Sequence, residues 1–464
     1  MQVEIKSRKI RYILSEIEDQ YLSGDENVPW IIGFSGGKDS TALLQLVWLA
    51  VSGLPDSYRR REIHVVCNDT LVENPVIQAY VSDVLGRIRI AAAEQSLPIC
   101  VETTKPQLED TFWVNVIGRG YPVPNNTFRW CTDRMKIRPT SRFIESRVAE
   151  DGEAIILVGT RRSESMTRAR SIARHEIRGS RLTRHPKQAR TYIYSPIKEM
   201  TLEEVWYVIN AIASPWGANN AELFQIYADA SADDYECPTM VSDKSHTSCG
   251  QSRFGCWTCT VVREDKSLKT LISNGKTWLL PLLKLREALF DERNLSENRM
   301  NIRRNGQRAV SDDGRNVGVY SPDYRIRILE RLLAAQAEIQ KSREHVELIS
   351  TQELIAIQLL WRRDAAVNDA WKFSKTVSQI CNHAYGREIE MDKKEERANA
   401  EAALLRECCG NDEHATLIEK LHSLVVGKQV LKAKKGLDDE IEQAIDNYLE
   451  TQKSAKTAQS EATR

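Results

Sequence analysis

A short glycine-containing stretch near the N-terminus constrains the fold of this chain more than any other feature. The apolar run 30–34 has the composition of a buried strand, and it leads directly into Ser-Gly-Gly-Lys-Asp-Ser at residues 35–40. The residues from 41 onward then have the composition of a helix. A strand, a tight glycine turn and a helix N-terminus in this order predict an anion site. The glycines let the backbone approach a polyphosphate, and the free N–H groups and the helix dipole favour its charge.

The length and the charge balance limit the class of protein. A chain of 464 residues can bury a large core and exceeds the size of one domain. Its 65 lysines and arginines equal its 65 aspartates and glutamates, so contact with nucleic acid would have to come from local patches. The sequence has no apolar signal core at its start and no apolar run of membrane-spanning length, so we expect a cytoplasmic protein with no membrane partner.

Short apolar runs alternate with helical patterns over the first two hundred residues. The pattern predicts strands at 30–35, 62–67, 98–102 and 154–159, and helices at 4–22, 40–53, 75–95 and 132–149. Such alternation predicts an α/β fold with a doubly wound parallel sheet, in which ligands bind at the carboxyl ends of the strands. Helical spacing returns later, at 264–292, 322–342, 351–368 and 413–426.

These patterns divide the chain into three regions. Residues 1–213 are predicted to form the nucleotide-binding α/β domain, with a capping box at Thr201 and Glu204 that begins its last helix. Residues 214–265 form an irregular, cysteine-rich insert. Residues 266–464 are predicted to be mainly helical, with a polar tail from about residue 453.

Four cysteines lie within 23 residues of the insert, 237–259, and the last two form a Cys-x-x-Cys pair. In a reducing compartment such a cluster indicates a metal site rather than disulfides. Four thiolates suit a tetrahedral zinc ion or an iron–sulfur cluster equally well, and the spacing does not choose between them. The candidate ligands are Cys237, Cys249, Cys256 and Cys259, and Cys131 could replace one of the first two.

The chain contains two basic segments, and the second begins at a predicted strand end. Residues 129–139 form a basic turn that leads into a helix, and residues 159–190 contain ten lysines and arginines but only two glutamates. Arginines grip phosphate in a bidentate manner, so these segments suit a nucleotide or a nucleic-acid backbone, although a solvated basic face is the simpler interpretation. Cys131 lies between Arg129 and Arg134, which favours its thiolate; the alternative is a structural or ligand thiol.

Together these features resemble the PP-loop ATP pyrophosphatases that include the PAPS reductases. The resemblance rests on residues 35–40, Arg129-Trp130-Cys131-Thr132 with Lys136, Gly159-x-Arg161-x-x-Glu164-Ser165, and Ser195-Pro196-Ile197 before Trp206. The chain lacks the C-terminal Glu-Cys-Gly-Leu-His sequence of those reductases. The stretch 253–262 and the long helical region are more similar to the DndC-like proteins, the PP-loop component of bacterial DNA phosphorothioation.

This resemblance implies a function and its partners. It implies an ATP-dependent sulfurtransferase that cleaves ATP to AMP and pyrophosphate in order to activate a DNA backbone phosphate for sulfur incorporation. It also implies Mg²⁺, a four-iron four-sulfur cluster, a cysteine desulfurase as sulfur donor, and other subunits that help to bind the DNA. The alternatives are a reductase of PAPS or adenylylsulfate, a tRNA thiolase of the same family, and a non-catalytic scaffold.

The resemblance also assigns roles to particular residues. The nucleotide would be bound by Ser35, Gly36, Gly37, Lys38, Asp39, Ser40, Arg161, Glu164 and Ser165. Lys38 would neutralise charge on the polyphosphate, and Asp39 would either hold Mg²⁺ or cap the helix. Cys131 would carry sulfur, with Lys38 and Asp39 as the other catalytic residues. The cluster would be bound by Cys237, Cys249, Cys256 and Cys259.

Overall fold

The computed structural model describes residues 7–177, 179–229, 255–304, 307–343, 345–367, 404–409, 412–430, 437 and 440–449. Cys237, Cys249 and the predicted polar tail lie outside the described residues. The chain divides into two compact units. One consists of Met1–Pro106 and Pro124–Phe290, and the other of Gln107–Val123 and Asp291–Arg464.

A six-stranded sheet forms the centre of the first unit. Its strands are β1 Trp30–Gly33, β2 Ile63–Asn68, β3 Ile99–Thr104, β4 Ala154–Leu157, β5 Leu182–Arg184 and β6 Thr191–Tyr194. They are arranged in the order β3-β2-β1-β4-β6-β5, and all neighbouring pairs are parallel except β5 and β6. The predicted mostly parallel α/β sheet is therefore confirmed. The β5–β6 hairpin was not predicted, because the sequence there reads mainly as a basic run.

Helices pack on both faces of this sheet. The described α-helices up to residue 292 are α1 Arg8–Leu22, α2 Lys38–Gly53, α3 Pro75–Glu94, α4 Arg138–Asp151, α5 Met166–His175, α6 Leu202–Ala211, α7 Asn220–Asp229, α8 Lys266–Ser273 and α9 Leu280–Glu292. The predicted capping box of α6 is present at Thr201 and Glu204. Two helix predictions need correction: residues 132–137 form a π-helical turn before α4, and the predicted helix 264–292 is two helices, α8 and α9.

The packing of the sheet and the order of its strands together determine where a ligand can bind. α2 is almost wholly buried, with Leu43, Leu46 and Trp48 at 0 % exposure, since it packs against the sheet and against α1 and α6. A smaller apolar cluster, which includes Ile31 and Ile144, lies on the other face of the sheet. β1 sits between β2 and β4, so its carboxyl end opens between two neighbouring strand ends.

The second unit is mainly helical, which confirms the predicted helical C-terminal region. Its principal helices are a π-helix at Val114–Gly118, α10 Pro322–Gln340, α11 Thr351–Val367 and α12 Asp412–Val430. Buried tryptophans join its parts: Trp113 Nε1 donates to the Leu348 carbonyl and Trp361 Nε1 to the Ile117 carbonyl, both at 2.8 Å. Across the described part of both units, no helix combines the length and the apolar character needed to cross a membrane.

Candidate active site

The loop between β1 and α2 folds back on itself at the end of the sheet. Gly36 has a φ of 73°, and a Cβ there would lie 2.6 Å from Val81 Cγ2, so both backbone conformation and space require glycine. The Ser40 hydroxyl donates to the Gly37 carbonyl at 3.0 Å, and the Ser35 N–H donates to Ser40 Oγ at 3.3 Å. These bonds hold the loop against the N-terminus of α2, where helix N–H groups lack intrahelical partners.

A cavity of about 190 Å³ lies at the carboxyl ends of β1, β2 and β4. Its first wall includes Ser35, Gly37, Asp39, Ser40, Gly159, Thr160, Glu164 and Arg168. Its second wall includes Asn68, Asp69, Glu73, Thr103 and Lys136. Gly159 makes the close approach of β4 and α2 possible, because a Cβ there would lie 3.1 Å from the carbonyl oxygen of Asp39. The fold thus brings together the loop and the 159–164 segment, which are far apart in sequence.

Three charged side chains form a buried cluster beside this loop. Arg161 Nε donates to Asp39 Oδ1 at 2.7 Å, and Lys38 Nζ lies 3.0 Å from Asp39 Oδ2. Arg161 is 3 % exposed and Lys38 is 6 % exposed. Asp39 is therefore engaged by two cations in this structure. The cluster fixes the Lys38 ammonium next to the helix N-terminus.

Glu164 lies on the same wall of the cavity. Its Oε2 is 3.0 Å from Arg168 Nε, and Ser165 begins α5 by accepting a hydrogen bond from the Arg168 N–H at 3.2 Å. Burial raises the pKa of Glu164 to about 7, and the Asp39 carboxylate acts in the same direction, while the cations of Arg168, Arg161 and Lys38 oppose the shift. Glu164 thus exchanges a proton near neutral pH beside the phosphate-binding loop.

This shift makes the stability of the chain depend on pH. The folded chain holds the Glu164 proton more tightly than the unfolded chain, so the stabilisation is complete below the ordinary pKa of 4.5 and is lost as the pH rises through about 7. We expect Glu164→Gln to abolish this part of the pH dependence and to be more stable than the parent chain at pH 8. Urea unfolding of both proteins between pH 5 and pH 8 measures it, and parallel curves would contradict the assignment.

The first thiol of the Cys-x-x-Cys pair contacts Glu73, a residue that lines the cavity. Cys256 forms an antiparallel β-bridge with Glu73, and the Trp257 N–H donates to the Val72 carbonyl at 3.1 Å. Cys256 Sγ is 3.3 Å from Thr70 Oγ1 and donates to Glu73 Oε1 at 3.7 Å. Because Glu73 lines the cavity, the Cys256 thiol sits one side chain away from the space that the loop of residues 35–40 faces.

The electrostatics of this wall keep the Cys256 thiol protonated in the protein alone. Burial raises the pKa of Cys256 well above its ordinary value, Glu73 and Cys131 add to this, and Lys136 opposes it. The influence of Cys131 shows that this third thiol lies nearby. Burial likewise raises the pKa of Glu73. A bound metal would reverse this balance, since a coordinating thiol is deprotonated outright.

Only part of the predicted cluster site can be described. Cys237 and Cys249 are outside the described residues, and the described ones contain no group of three or more His, Cys, Asp or Glu side chains placed to hold a metal. Cys256 and Cys259 are half-buried, and the Cys259 N–H donates to the Cys256 carbonyl at 3.0 Å in a tight turn. These two half-buried thiols would make up half of a four-cysteine set.

The predicted phosphate-facing arginines divide into two groups. Arg162 pairs with Glu199 at 2.7 Å, and Arg181 pairs with Glu16 at 2.7 Å, so these two, like Arg161 and Arg168, are engaged within the unit. Among the described residues of the segment, the exposed basic ones are Arg170, Arg174, Arg184, Lys187 and Arg190. The predicted contact of residues 159–190 with a nucleotide or a nucleic-acid backbone stays a prediction.

Sequence reasoning missed Glu73 and its contact with Cys256. The two residues are 183 positions apart, and no local pattern marks Glu73 as different from a solvent-exposed glutamate. The one available signal was its place just after a predicted strand end, next to Asn74, whose side chain caps α3.

Comparison with known proteins places this site in a family. Residues 29–262, half of the chain, match the phosphoadenosine phosphosulfate reductase domain. An uncharacterized protein of Methanocaldococcus jannaschii is 30 % identical over 141 residues, which are 30 % of this chain and 24 % of that protein. The chain thus spans about a quarter of the length of that relative.

Two solved structures are also similar. The phosphoadenylyl-sulfate reductase from Candida auris, a phosphate complex, is 12 % identical and is matched over 53 % of this chain and 100 % of its own, with a TM-score of 0.30. The U34-tRNA thiolase NcsA from Methanococcus maripaludis with its [4Fe-4S] cluster is 14 % identical and is matched over 62 % of this chain and 81 % of its own, with a TM-score of 0.28. On the match over residues 29–262, this chain belongs to the phosphoadenosine phosphosulfate reductase domain family, whose enzymes are of the PP-loop type.

Proposed function

We propose that this chain is an ATP-dependent sulfurtransferase that activates a DNA backbone phosphate for replacement of one oxygen by sulfur. The main support is that Cys256 contacts Glu73, a side chain that lines the same cavity as the loop of residues 35–40. A phosphate-binding loop and a thiol pair at one cavity suit a reaction that joins nucleotide activation to sulfur delivery. The choice of DNA as acceptor rests on the resemblance of residues 253–262 and the helical region to the DndC-like proteins.

The first step would make a leaving group out of a phosphate oxygen. A non-bridging oxygen of the DNA phosphate attacks the α-phosphorus of ATP, the bond to the β-phosphate bridging oxygen breaks, and pyrophosphate leaves. The loop N–H groups and the Lys38 ammonium stabilise the negative charge that pyrophosphate gains. Mg²⁺ bound to the phosphates would supply further charge neutralisation. The ion pairs of Asp39 with Lys38 and Arg161 hold the Lys38 ammonium in place for this role.

The second step would transfer sulfur. The terminal sulfur of a cysteine persulfide attacks the DNA phosphorus, and AMP leaves with the original DNA oxygen. A second thiol then cleaves the sulfur–sulfur bond, which leaves the phosphorothioate on DNA and a disulfide that an external dithiol reduces. Cys131 is the proposed carrier of the persulfide, which a cysteine desulfurase would donate. An iron–sulfur cluster held by Cys237, Cys249, Cys256 and Cys259 would provide a sulfide-binding centre beside the cavity.

The DNA would contact the exposed basic side chains of α5 and of the β5–β6 hairpin. Arg170 and Arg174 are exposed on α5, a helix that buries none of its residues. The net charge of the whole chain is zero, so this local patch would act together with partner subunits.

The acceptor of the sulfur can be identified by co-expressing the chain with a cysteine desulfurase and with the other subunits of the proposed complex. We expect mass spectrometry of nuclease-digested DNA to detect phosphorothioate dinucleotides, and Cys131→Ser to remove them while Cys100→Ser, at an exposed β3 position, does not. Thiolated tRNA with unmodified DNA would overturn the DNA assignment in favour of a tRNA thiolase. Sulfite release from PAPS in the presence of thioredoxin would instead favour a reductase.

A further inference from the structure

A buried arginine on α9 donates hydrogen bonds to three backbone carbonyls, that of the second cysteine of the Cys-x-x-Cys pair and two that follow it. Arg286 is 1 % exposed, and its Nε donates to the Cys259 carbonyl at 3.1 Å. Its two terminal nitrogens donate to the carbonyls of Arg263, at 2.5 Å, and of Val262. The guanidinium carbon lies 5.2 Å from the centre of the Phe290 ring. One side chain thus satisfies three carbonyls of the loop.

The other end of this loop is held by different elements. Trp257, which is 2 % exposed, hydrogen-bonds through its N–H to the loop after β2, and Thr260 Oγ1 donates to the Pro124 carbonyl at 2.6 Å. The turn of residues 256–259, which carries both thiols, overlaps these contacts. Buried carbonyls without donors are costly, so the three bonds from Arg286 stabilise this part of the loop.

We propose that Arg286 is the positioning residue of the Cys-x-x-Cys loop: through the carbonyls of Cys259, Val262 and Arg263 it fixes the turn that carries Cys256, which contacts the cavity-lining Glu73, and Cys259. It acts through the backbone and touches neither nucleotide nor sulfur. What the thiols do rests on the proposed function, whereas the way they are held does not. Through Arg286, α9, which lies beyond the cysteine-rich insert in the sequence, thus helps to hold the Cys-x-x-Cys loop.

The chain provides a matched control for this role. Arg61 is also buried, at 2 % exposure, and donates to three backbone carbonyls, those of Tyr21, Val28 and Ser23, at 2.9, 2.6 and 2.7 Å. It also lies over an aromatic ring, that of Tyr21, at 6.0 Å. Arg61→Gln and Arg286→Gln therefore remove the same charge and comparable bonds. Only the second change touches the cysteine loop.

The test is the alkylation rate of individual cysteines in the reduced, metal-free full-length chain. With iodoacetamide and peptide mass spectrometry, we expect Arg286→Gln to raise the rates at Cys256 and Cys259 by about tenfold or more, because the loop opens locally. Arg61→Gln should leave both rates within about twofold of the parent chain while lowering the melting temperature to a similar degree. Iron bound per chain after anaerobic reconstitution should fall in Arg286→Gln alone.

Equal alkylation rates in the two variants would overturn the proposal, since Arg286 would then be an ordinary stabilising residue. If Arg286→Gln does not fold, Arg286→Lys takes its place: it keeps the charge but cannot bridge three carbonyls, so it should give an intermediate rate. The alkylation result is independent of the reaction. Loss of the alkylation difference contradicts the role of Arg286, and absence of DNA phosphorothioate contradicts only the proposed function.

Discussion

Replacing Lys38 with alanine is expected to lower the rate of AMP and pyrophosphate formation by about 10²–10³-fold. This is the loss seen when one preorganised donor to a developing negative charge is removed. Lys38 is buried at the first turn of α2, where helix N–H groups lack intrahelical partners, so no mobile surface lysine can take its place. Because Asp39 keeps its ion pair with Arg161, the fold should survive the change.

Lys9→Ala is the control for this variant. Lys9 also forms an ion pair, with Glu204 at 2.7 Å, but it lies on α1, outside the cavity lining. We expect this change to leave the rate within about twofold, because exposed ion pairs contribute little. The measurement is the initial rate of radiolabelled pyrophosphate release at saturating ATP. A Lys38→Ala protein that releases pyrophosphate as fast as the Lys9→Ala protein would favour a scaffold over an enzyme.

Replacing Arg161 with methionine is expected to destabilise the first unit by about 3 kcal/mol, the lower end of the cost of breaking a buried ion pair. The change leaves the largely buried Asp39 carboxylate with one cation instead of two. It also loosens Lys38, so nucleotide binding should weaken. Urea unfolding and equilibrium ATP binding measure the two effects separately.

Two companion variants identify the cause of this loss. Arg162→Met removes the neighbouring arginine, whose pairs with Glu176 and Glu199 are more exposed, and should cost about 0–1 kcal/mol. The double change Arg161→Met with Asp39→Asn removes both opposite charges and should recover part of the stability but not the ATP affinity. If the double variant is no more stable than Arg161→Met alone, the Asp39–Arg161 pair is not the source of the effect.

The sequence was sufficient for those features that depend on local pattern. Apolar runs followed by helical spacing located β1 to β4, and the glycines of residues 36–37 located the tight loop between β1 and α2. The hairpin of β5 and β6 was not predicted, because its strands are short and lie within a basic run. The ion pair of Arg161 with Asp39 could not be predicted either. The two residues are 122 positions apart and meet only because β4 lies next to β1.

The cysteine side of the site shows the same limit. Its composition indicated a metal site, but the contact of Cys256 with Glu73 depends on the loop after β2, and Arg286 belongs to a helix beyond the insert. A buried arginine that binds carbonyls leaves no sequence signature, because its partners are backbone atoms of any residue type. Such positions become visible only when the fold is known.

The path of one oxygen atom tests the central claim most directly. DNA with ¹⁸O at its non-bridging phosphate oxygens is incubated with ATP, the sulfur donor and the complete enzyme, and the AMP is analysed by mass spectrometry. If the DNA phosphate is activated by adenylation, each AMP formed with a phosphorothioate carries one ¹⁸O atom taken from the DNA. AMP without ¹⁸O, formed while sulfur enters the DNA, would contradict the account.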